Sequence, residues 1–433
     1  MMRLRAFLIL IPLIGAACAQ AQPTTSPALP GVDLGKTLTL DDLVRLAIAN
    51  NPVTSISVET VKRADAAVVQ ARAAQLPDLG LGADVRQTKL LGGPSGGRSS
   101  RDLSLTLSET FYQSGLREQI EAARAGARAA RFGDADTHRT LILSVAQSYF
   151  TALASVGLAE VAMRAVAASQ QHLDLSDARI ARGVAARADR YPFEVELAQA
   201  RLTAISADNT AKTSLTNLKR AIGLASNIAI KIAPALTYPS YSGKLPELLQ
   251  TAYDNRPDIK QAQEQAKQAR QSLRIAEIQA GPVLTVDGTA DYGYHTGQTG
   301  DAWQVSAGVS VPIFDSGRSR AAVDSAAAAF KIAQENLRST QLDISAEVER
   351  NFLNVTAAEA GLTAADAALK SAQVSLGAAQ EKYANGVGTV IDVTDAETKL
   401  EQSDADQVKA KFDYNTSLAA LKASVGRLDI TVP

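Results

Sequence analysis

The sequence predicts a mainly helical chain with a smaller β part, built twice from one unit. Three observations predict it. From Gly317 to Arg427 the chain reads as two very long helices joined by a short turn at Gly386-Val387-Gly388-Thr389. The same pattern occurs about 203 residues earlier. Between the helical stretches, each half changes to alternating apolar residues, which is the period of a strand.

The helices are the clearest part. An apolar residue recurs every seventh position at Val348, Val355, Leu362, Leu369, Leu376 and Tyr383. Small or amidic residues follow three positions later at Asn351, Ala358, Ala365, Ala372 and Ala379. Past the turn, Val393, Leu400, Gln407, Tyr414 and Leu421 form one row, with Ala396, Ser403, Ala410, Ser417 and Ser424 beside it. A sustained seven-residue repeat winds a helix left-handedly about a neighbour. Small residues in alternate layers let the backbones approach. Gly317 to Asn385 spans roughly 100 Å as helix, at about 1.5 Å per residue. That is too long for a compact domain and suits a wall, a stalk or a tunnel.

Subtracting 203 turns the first row into Val145, Ala152, Ala159, Val166, Leu173 and Ile180. Gly386-Val387 becomes Gly183-Val184, Asp392 becomes Asp189, Leu400 and Leu421 become Leu197 and Leu218, and Gly426 becomes Gly223. Upstream, Asn51-Pro52 matches Arg256-Pro257, and Pro77 matches Pro282. Several rows in one register, with turns and prolines in step, mean a tandem duplication.

The remaining elements follow in order. Residues 1–21 read as an export signal: Arg3 and Arg5 begin it, Ala6 to Ala17 is apolar, and Ala19-Gln20-Ala21 is a small-x-small cleavage site. Its apolar run of about twelve residues is short for a membrane span. Cys18, the only cysteine, offers lipid attachment as a minor alternative to simple cleavage. Residues 22–36 read as a flexible lead-in. The first repeat is placed at 37–227 and the second at 245–428, with a linker at 228–244 and a tail at 429–433. In the first, Thr39 to Gln75 reads as helix, capped by Thr39 or Asp41 and broken at Asn51-Pro52. A hairpin at 77–111 and long helices at 115–182 and 188–224 follow. In the second, Leu245 to Ala280 reads as helix, followed by a hairpin at 282–314 and long helices at 317–385 and 390–427. The formal net charge of −1 shows no basic nucleic-acid footprint. No segment after the signal reads as a transmembrane helix.

The hairpins carry the functional weight. Leu79, Leu81, Ala83 and Val85 alternate, as do Leu103, Leu105, Leu107 and Phe111. In the second half, Leu284, Val286, Ala290, Tyr292 and Tyr294 face Trp303, Val305, Ala307, Val309, Val311 and Ile313 across a loop. Each run of about ten to twelve residues is long enough to cross a bilayer as a tilted strand. Ordinary surface hairpins are the alternative. Two hairpins cannot close a barrel, and open edges are not tolerated in lipid. In lipid, several chains must therefore pool strands, and three copies would supply twelve.

The chain resembles the TolC-like outer-membrane efflux proteins of Gram-negative bacteria. The resemblance covers residues 37–428. It rests on the duplicated plan, on Phe314-Asp315-Ser316-Gly317 ahead of the long helix, and on the tip segment Tyr383 to Glu397. It implies a homotrimer, with twelve strands forming one β-barrel in outer-membrane lipid and twelve helices forming an α-barrel through the periplasm. It also implies a periplasmic membrane-fusion adaptor and an inner-membrane pump as partners, no cofactor, and passive export through an efflux or type I secretion system. In such proteins two acidic residues per chain ring the pore constriction, and Asp392 and Asp395 occupy those places. Tyr383 matches the tip tyrosine and Asp189 the acid coupled to it. The turns containing Gly183, Val184 and Ala185, and Gly386, Val387, Gly388 and Thr389, match the adaptor-docking tips. The chain departs at Gly388, where the best-known member has an arginine, so an ion-pair latch of that kind is not implied.

Asp at a helix start is also favoured by capping and by the helix dipole, so Asp392 has a structural role open to it as well. His138, His172 and His295 lie far apart in sequence and read as solvated or locally satisfied, with no metal site. No catalytic grouping or phosphate-cradling loop is present, and an enzyme is not expected. The competing class is a periplasmic coiled-coil stalk or adaptor, which would not require the export signal and the apolar hairpins together.

Overall fold

A computed structural model describes residues 36–88, 98–233, 241–279, 281–295 and 298–426. The expected signal, Cys18, most of the lead-in, the tip of the first hairpin, much of the linker and the tail lie outside the described residues.

The described residues open with β1 (Thr37–Leu38), α1 (Leu40–Asn50) and α2 (Pro52–Ala73). Thr39 and Asp42 form a reciprocal capping box that starts α1, and Asn51-Pro52 breaks the helix. Strands β2 (Asp78–Thr88) and β3 (Arg98–Gln113) lead into α3 (Leu116–Ala181), a short 3-10 turn, and α4 (Arg190–Ala221). The two-residue β4 (Lys231–Ile232) opens the linker. The plan then repeats as α5 (Leu245–Asn255), α6 (Pro257–Ile278), β5 (Val283–His295), β6 (Gln298–Ser310), α7 (Arg318–Ala384) and α8 (Val390–Ser424). The duplication extends to the backbone. Left-handed glycines occur in matched pairs at Gly115 and Gly317, Gly183 and Gly386, and Gly223 and Gly426. Each ends or begins a long helix, where a residue without Cβ is needed for positive φ.

Four strands form one antiparallel sheet in the order β2-β3-β5-β6. Its register sorts the two faces. Leu81, Leu105, Ala290 and Trp303 line up across all four strands, as do Gly80, Thr106, Thr289 and Gln304. Leu81, Leu105, Trp303, Val305 and Val309 are exposed in the chain. On the opposite face the Ser108 hydroxyl donates to Asp287 at 2.6 Å. The sheet has one apolar and one polar face, and among the described residues β2 and β6 are its open edges. The expected hairpin bounds shift slightly. β6 stops at Ser310 rather than running on to Ile313, ahead of Pro312, which has no N–H to donate. β3 runs on to Gln113 through a register shift between Thr110 and Tyr112.

The helical core lies where each heptad seam meets its partner. Val145, Ala152, Leu218 and Ile222 are fully buried in the first repeat, and Val348, Val355, Tyr414 and Leu421 in the second. Ser155 and Ser214 share a hydrogen bond of 2.9 Å between α3 and α4. One expectation needs correction. An 18-residue window of α3 has mean hydropathy 1.6, the composition of a membrane helix, and half of it is buried inside the chain. Ala-rich interhelical packing accounts for the composition. The parallel pairing of Thr37–Leu38 with Lys231–Ile232, which ties the chain's start to the linker, had no sequence signal beyond two residues.

Candidate functional site at the helical tips

The far ends of α3/α4 and α7/α8 are two hairpin tips of the same construction. At Gly386 (φ 74°) α7 ends: the Val387 N–H donates to Lys382 O at 3.0 Å and the Gly386 N–H to Tyr383 O at 3.1 Å. At Gly183 (φ 74°) the Val184 N–H donates to Arg179 O at 3.1 Å and the Gly183 N–H to Ile180 O at 2.9 Å. Both are glycine-closed helix ends with doubled hydrogen bonds. The turns differ beyond that point. The Thr389 hydroxyl accepts from the Asp392 N–H at 3.2 Å, and the Asp392 carboxylate accepts from the Thr389 N–H at 2.8 Å. In the first repeat, Ala186 stands in the threonine's place, and only the acid half survives. There the Asp189 carboxylate accepts the Ala186 N–H at 3.1 Å.

Asp392 is therefore a helix cap as well as a charge at the tip. Hydrogen bonds from the Thr389 hydroxyl and N–H hold its carboxyl below the usual carboxylate range. Asp395 is exposed one turn further along α8, on the same side of the helix. Val184 and Val387 are exposed at the two turns, and Tyr191 and Ile391, which the sequence alone did not single out, are exposed beside them.

Tyr383 is half-buried and meets Arg179 rather than Asp189 within the chain. The Arg179 guanidinium lies 4.0 Å from the Tyr383 ring centroid, a cation–π contact between α3 and α7. Asp189 is occupied by its own turn. A cavity of about 390 Å³, lined among others by His172, Arg179, Phe193, Tyr383 and Val393, lies between the two coiled coils behind these contacts.

One of the three histidines departs from the expectation. His138 faces Asp134 one turn away at 4.0 Å, and His295 ends β5. His172 is not solvated: it lies in the interior with Glu196 of α4 and Glu397 of α8. Its Nε2 is 3.0 Å from Glu397 Oε2, and its ring meets Phe193 edge-on, with centroids 5.9 Å apart. The Glu397 carboxylate holds the imidazole above its usual pKa, against burial. Glu401, one turn along α8, is pushed up to about 7, first by burial and then by the Glu397 and Glu196 carboxylates.

The outer membrane efflux protein family model matches residues 43–224 and 248–427, one stretch in each repeat. The chain belongs to this family. TolC of Vibrio cholerae is 26% identical over 378 residues, covering 84% of this chain and 84% of that protein. OpmQ of Pseudomonas aeruginosa, a pyoverdine export outer membrane protein, is 26% identical over 405 residues, covering 89% of this chain and 83% of OpmQ. The crystal structure of the outer membrane protein VceC from Vibrio cholerae superposes with a TM-score of 0.77 at 21% identity, covering 89% of this chain and 96% of VceC. The fold is that of the outer-membrane channels, and the chain is an exit duct of an efflux or secretion system in the Gram-negative outer membrane, extending into the periplasm. Its family is one of transport ducts rather than of enzymes.

Proposed function

We propose that three copies of this chain close into one hollow cylinder, with a twelve-stranded barrel in outer-membrane lipid and a helical tunnel below it. The observation that carries the proposal is the open sheet. Its apolar face is exposed and its two edge strands are unpaired among the described residues. Lipid tolerates such a sheet only when neighbouring chains complete the hydrogen bonding. Asp392 and Asp395 from each copy ring the tunnel's narrow end. Rings of carboxylates there raise the local cation concentration and make conduction sensitive to divalent ions. The turns at Gly183, Val184 and Ala185, and at Gly386, Val387, Gly388 and Thr389, form the docking rim for a periplasmic adaptor that joins the duct to an inner-membrane pump. Tyr383, with Asp189 in the neighbouring turn, belongs to the moving part of the gate.

The test is reconstitution in planar bilayers. A heat-modifiable trimer with defined conductance is expected, and a monomer without conductance sinks the proposal. Asp392→Ala combined with Asp395→Ala is expected to weaken blockade by divalent cations. An unchanged blockade curve removes the two acids from the selectivity role.

A further inference from the structure

The cluster formed by His172, Glu196 and Glu397 is unlike the rest of the helix packing. It is drawn from three helices, α3, α4 and α8, and so from both coiled-coil hairpins. One ligand atom from each residue lies within 4.8 Å of the other two. A tetrahedral ion with bonds of about 2.0–2.1 Å sets its ligand atoms roughly 3.4 Å apart, a spacing that small rotamer changes reach from here.

Three features point to a cation. Glu397 is 5% exposed, and its Oε2 carries no hydrogen bond even though it lies 3.0 Å from His172 Nε2. Glu196 Oε2 and His172 Nδ1 are likewise buried without hydrogen-bond partners. The one hydrogen bond that steadies the group runs from the Ser169 hydroxyl to Glu196 Oε1, at 3.2 Å, and leaves the other oxygen free. Glu397 is paired with the His172 imidazole, but one imidazole cannot balance two adjacent carboxylates in a site shielded from water, and holding both there is costly. Glu401 adds a third acid at the same place. Burial and the Glu397 and Glu196 carboxylates both act against its ionisation. A doubly charged ion would neutralise the cluster and occupy the free lone pairs in one step.

We propose that His172, Glu196 and Glu397 form a binding site for a divalent first-row metal ion, with one imidazole and two carboxylate ligands. A nitrogen donor among oxygens favours zinc and its neighbours over calcium or magnesium. Because α8 contributes Glu397 while α3 and α4 contribute the other two ligands, the ion pins the second hairpin to the first about two turns above the tips. Binding stands on these residues alone. Its consequence, that the ion holds the tunnel's narrow end shut, rests on the channel reading above.

The experiment uses the full-length protein, purified in detergent and stripped with chelator. Zinc content after equilibrium dialysis is measured by elemental analysis and affinity by calorimetry. One zinc per chain is expected. His172→Ala and Glu196→Gln, each first shown to be helical and thermally stable, are expected to bind at least about tenfold more weakly. An Asp392→Asn and Asp395→Asn double variant is expected to keep the full affinity, which separates this site from the acids at the tip. Equal affinity in wild type, His172→Ala and Glu196→Gln, or no bound zinc in the wild type, overturns the proposal. Conductance with and without zinc is read separately. If zinc binds but conductance does not change, the site stands and the clamp falls. A protein that does not conduct at all but binds zinc fails the channel reading alone.

Discussion

Helices α3 and α7 are copies of one another, yet they live in different surroundings. Along α3, burial continues from Leu116 to Ser176. Along the equally long α7, only Ile344, Val348, Val355, Ala372 and Ala379 are buried. The heptad seams themselves agree, since Val145 and Val348 are equivalent and both fully buried. The difference lies on another stripe. Ile332, Leu353 and Val374 are spaced by three heptads each and are 61%, 58% and 70% exposed. The first-repeat equivalents of Ile332 and Leu353 are Ala129 and Phe150, at 5% and 1%. Helices α6 and α8 cover this side of α3: a Cβ on Gly126 would meet Gln268, and one on Gly157 would meet Val408 at 3.0 Å. The second repeat thus completes the first, and nothing among the described residues completes the second. A surface that fits the front of the same unit on another copy is heterologous, and it closes a ring when the rotation allows. On this view the duplication is half of an interface carried within one chain, with the other half left for the next.

The largest effect should come from that stripe. Leu353→Asp combined with Val374→Asp places two charges where a neighbour would pack, on positions that cost the lone chain little. Assembly is expected to be lost, with the helix content of the monomer unchanged, as read by sedimentation and circular dichroism. A variant that still assembles would mean that α7 faces solvent or lumen and that the ring closes elsewhere.

The next comparison lies at the root of the helices. Asn51 donates from Nδ2 to Ala221 O at 2.8 Å. Its counterpart Arg256 donates from Nη1 to Ser424 O at 2.9 Å, the equivalent carbonyl, and also pairs with Asp258 at 2.6 Å and Glu347 at 2.7 Å. Arg256 is 3% exposed. Removing one member of a buried charged network typically costs about 3–5 kcal/mol, whereas loss of a neutral buried hydrogen bond costs about 1–2 kcal/mol. Arg256→Ala should therefore lower the unfolding temperature well beyond Asn51→Ala, and equal shifts would mean that the charges add nothing to the carbonyl contact. The pair also predicts a pH effect. Burial pushes the Asp258 carboxyl up, but the Arg256 guanidinium more than offsets this and leaves it below its usual value. A carboxylate depressed in the folded state stabilises above its unfolded pKa, and the stabilisation is lost as pH falls through the folded value. Thermal stability should thus drop below about pH 4, and Arg256→Ala should flatten that acid limb.

The sequence made the fold legible wherever the signal was periodic or local. The 203-residue register, the glycine-closed tips, the Asn51-Pro52 break and the alternating hairpins all rest on neighbours a few residues apart. It did not reveal who covers what. Ile332 and Leu353 are as apolar as any core position, and only tertiary packing separates them from Phe150. The cluster at His172 was invisible for the same reason. Its ligands are 24 and 225 residues from the histidine, follow no motif, and meet only because two hairpins pack side by side. Arg179 against Tyr383 spans 204 residues and escaped likewise. The acid at Asp392 was legible, but its two roles were not separable, because a helix cap and a pore charge ask for the same residue at the same place.

The smallest predicted effect addresses that overlap. The second tip has a complete capping box from Thr389 and Asp392, and the first has Asp189 with Ala186 in the threonine's position. Thr389→Ala should destabilise the second tip by roughly 1 kcal/mol, and Ala186→Thr should stabilise the first by a similar or smaller amount. Hydrogen exchange at the first amides of α4 and α8 reads each tip separately. Neither substitution changes the charge at the tip, so divalent blockade should remain while local protection moves in opposite directions. If Thr389→Ala altered blockade as strongly as loss of the Asp392 carboxylate, the cap would be what positions the charge, and the two roles of Asp392 would be one.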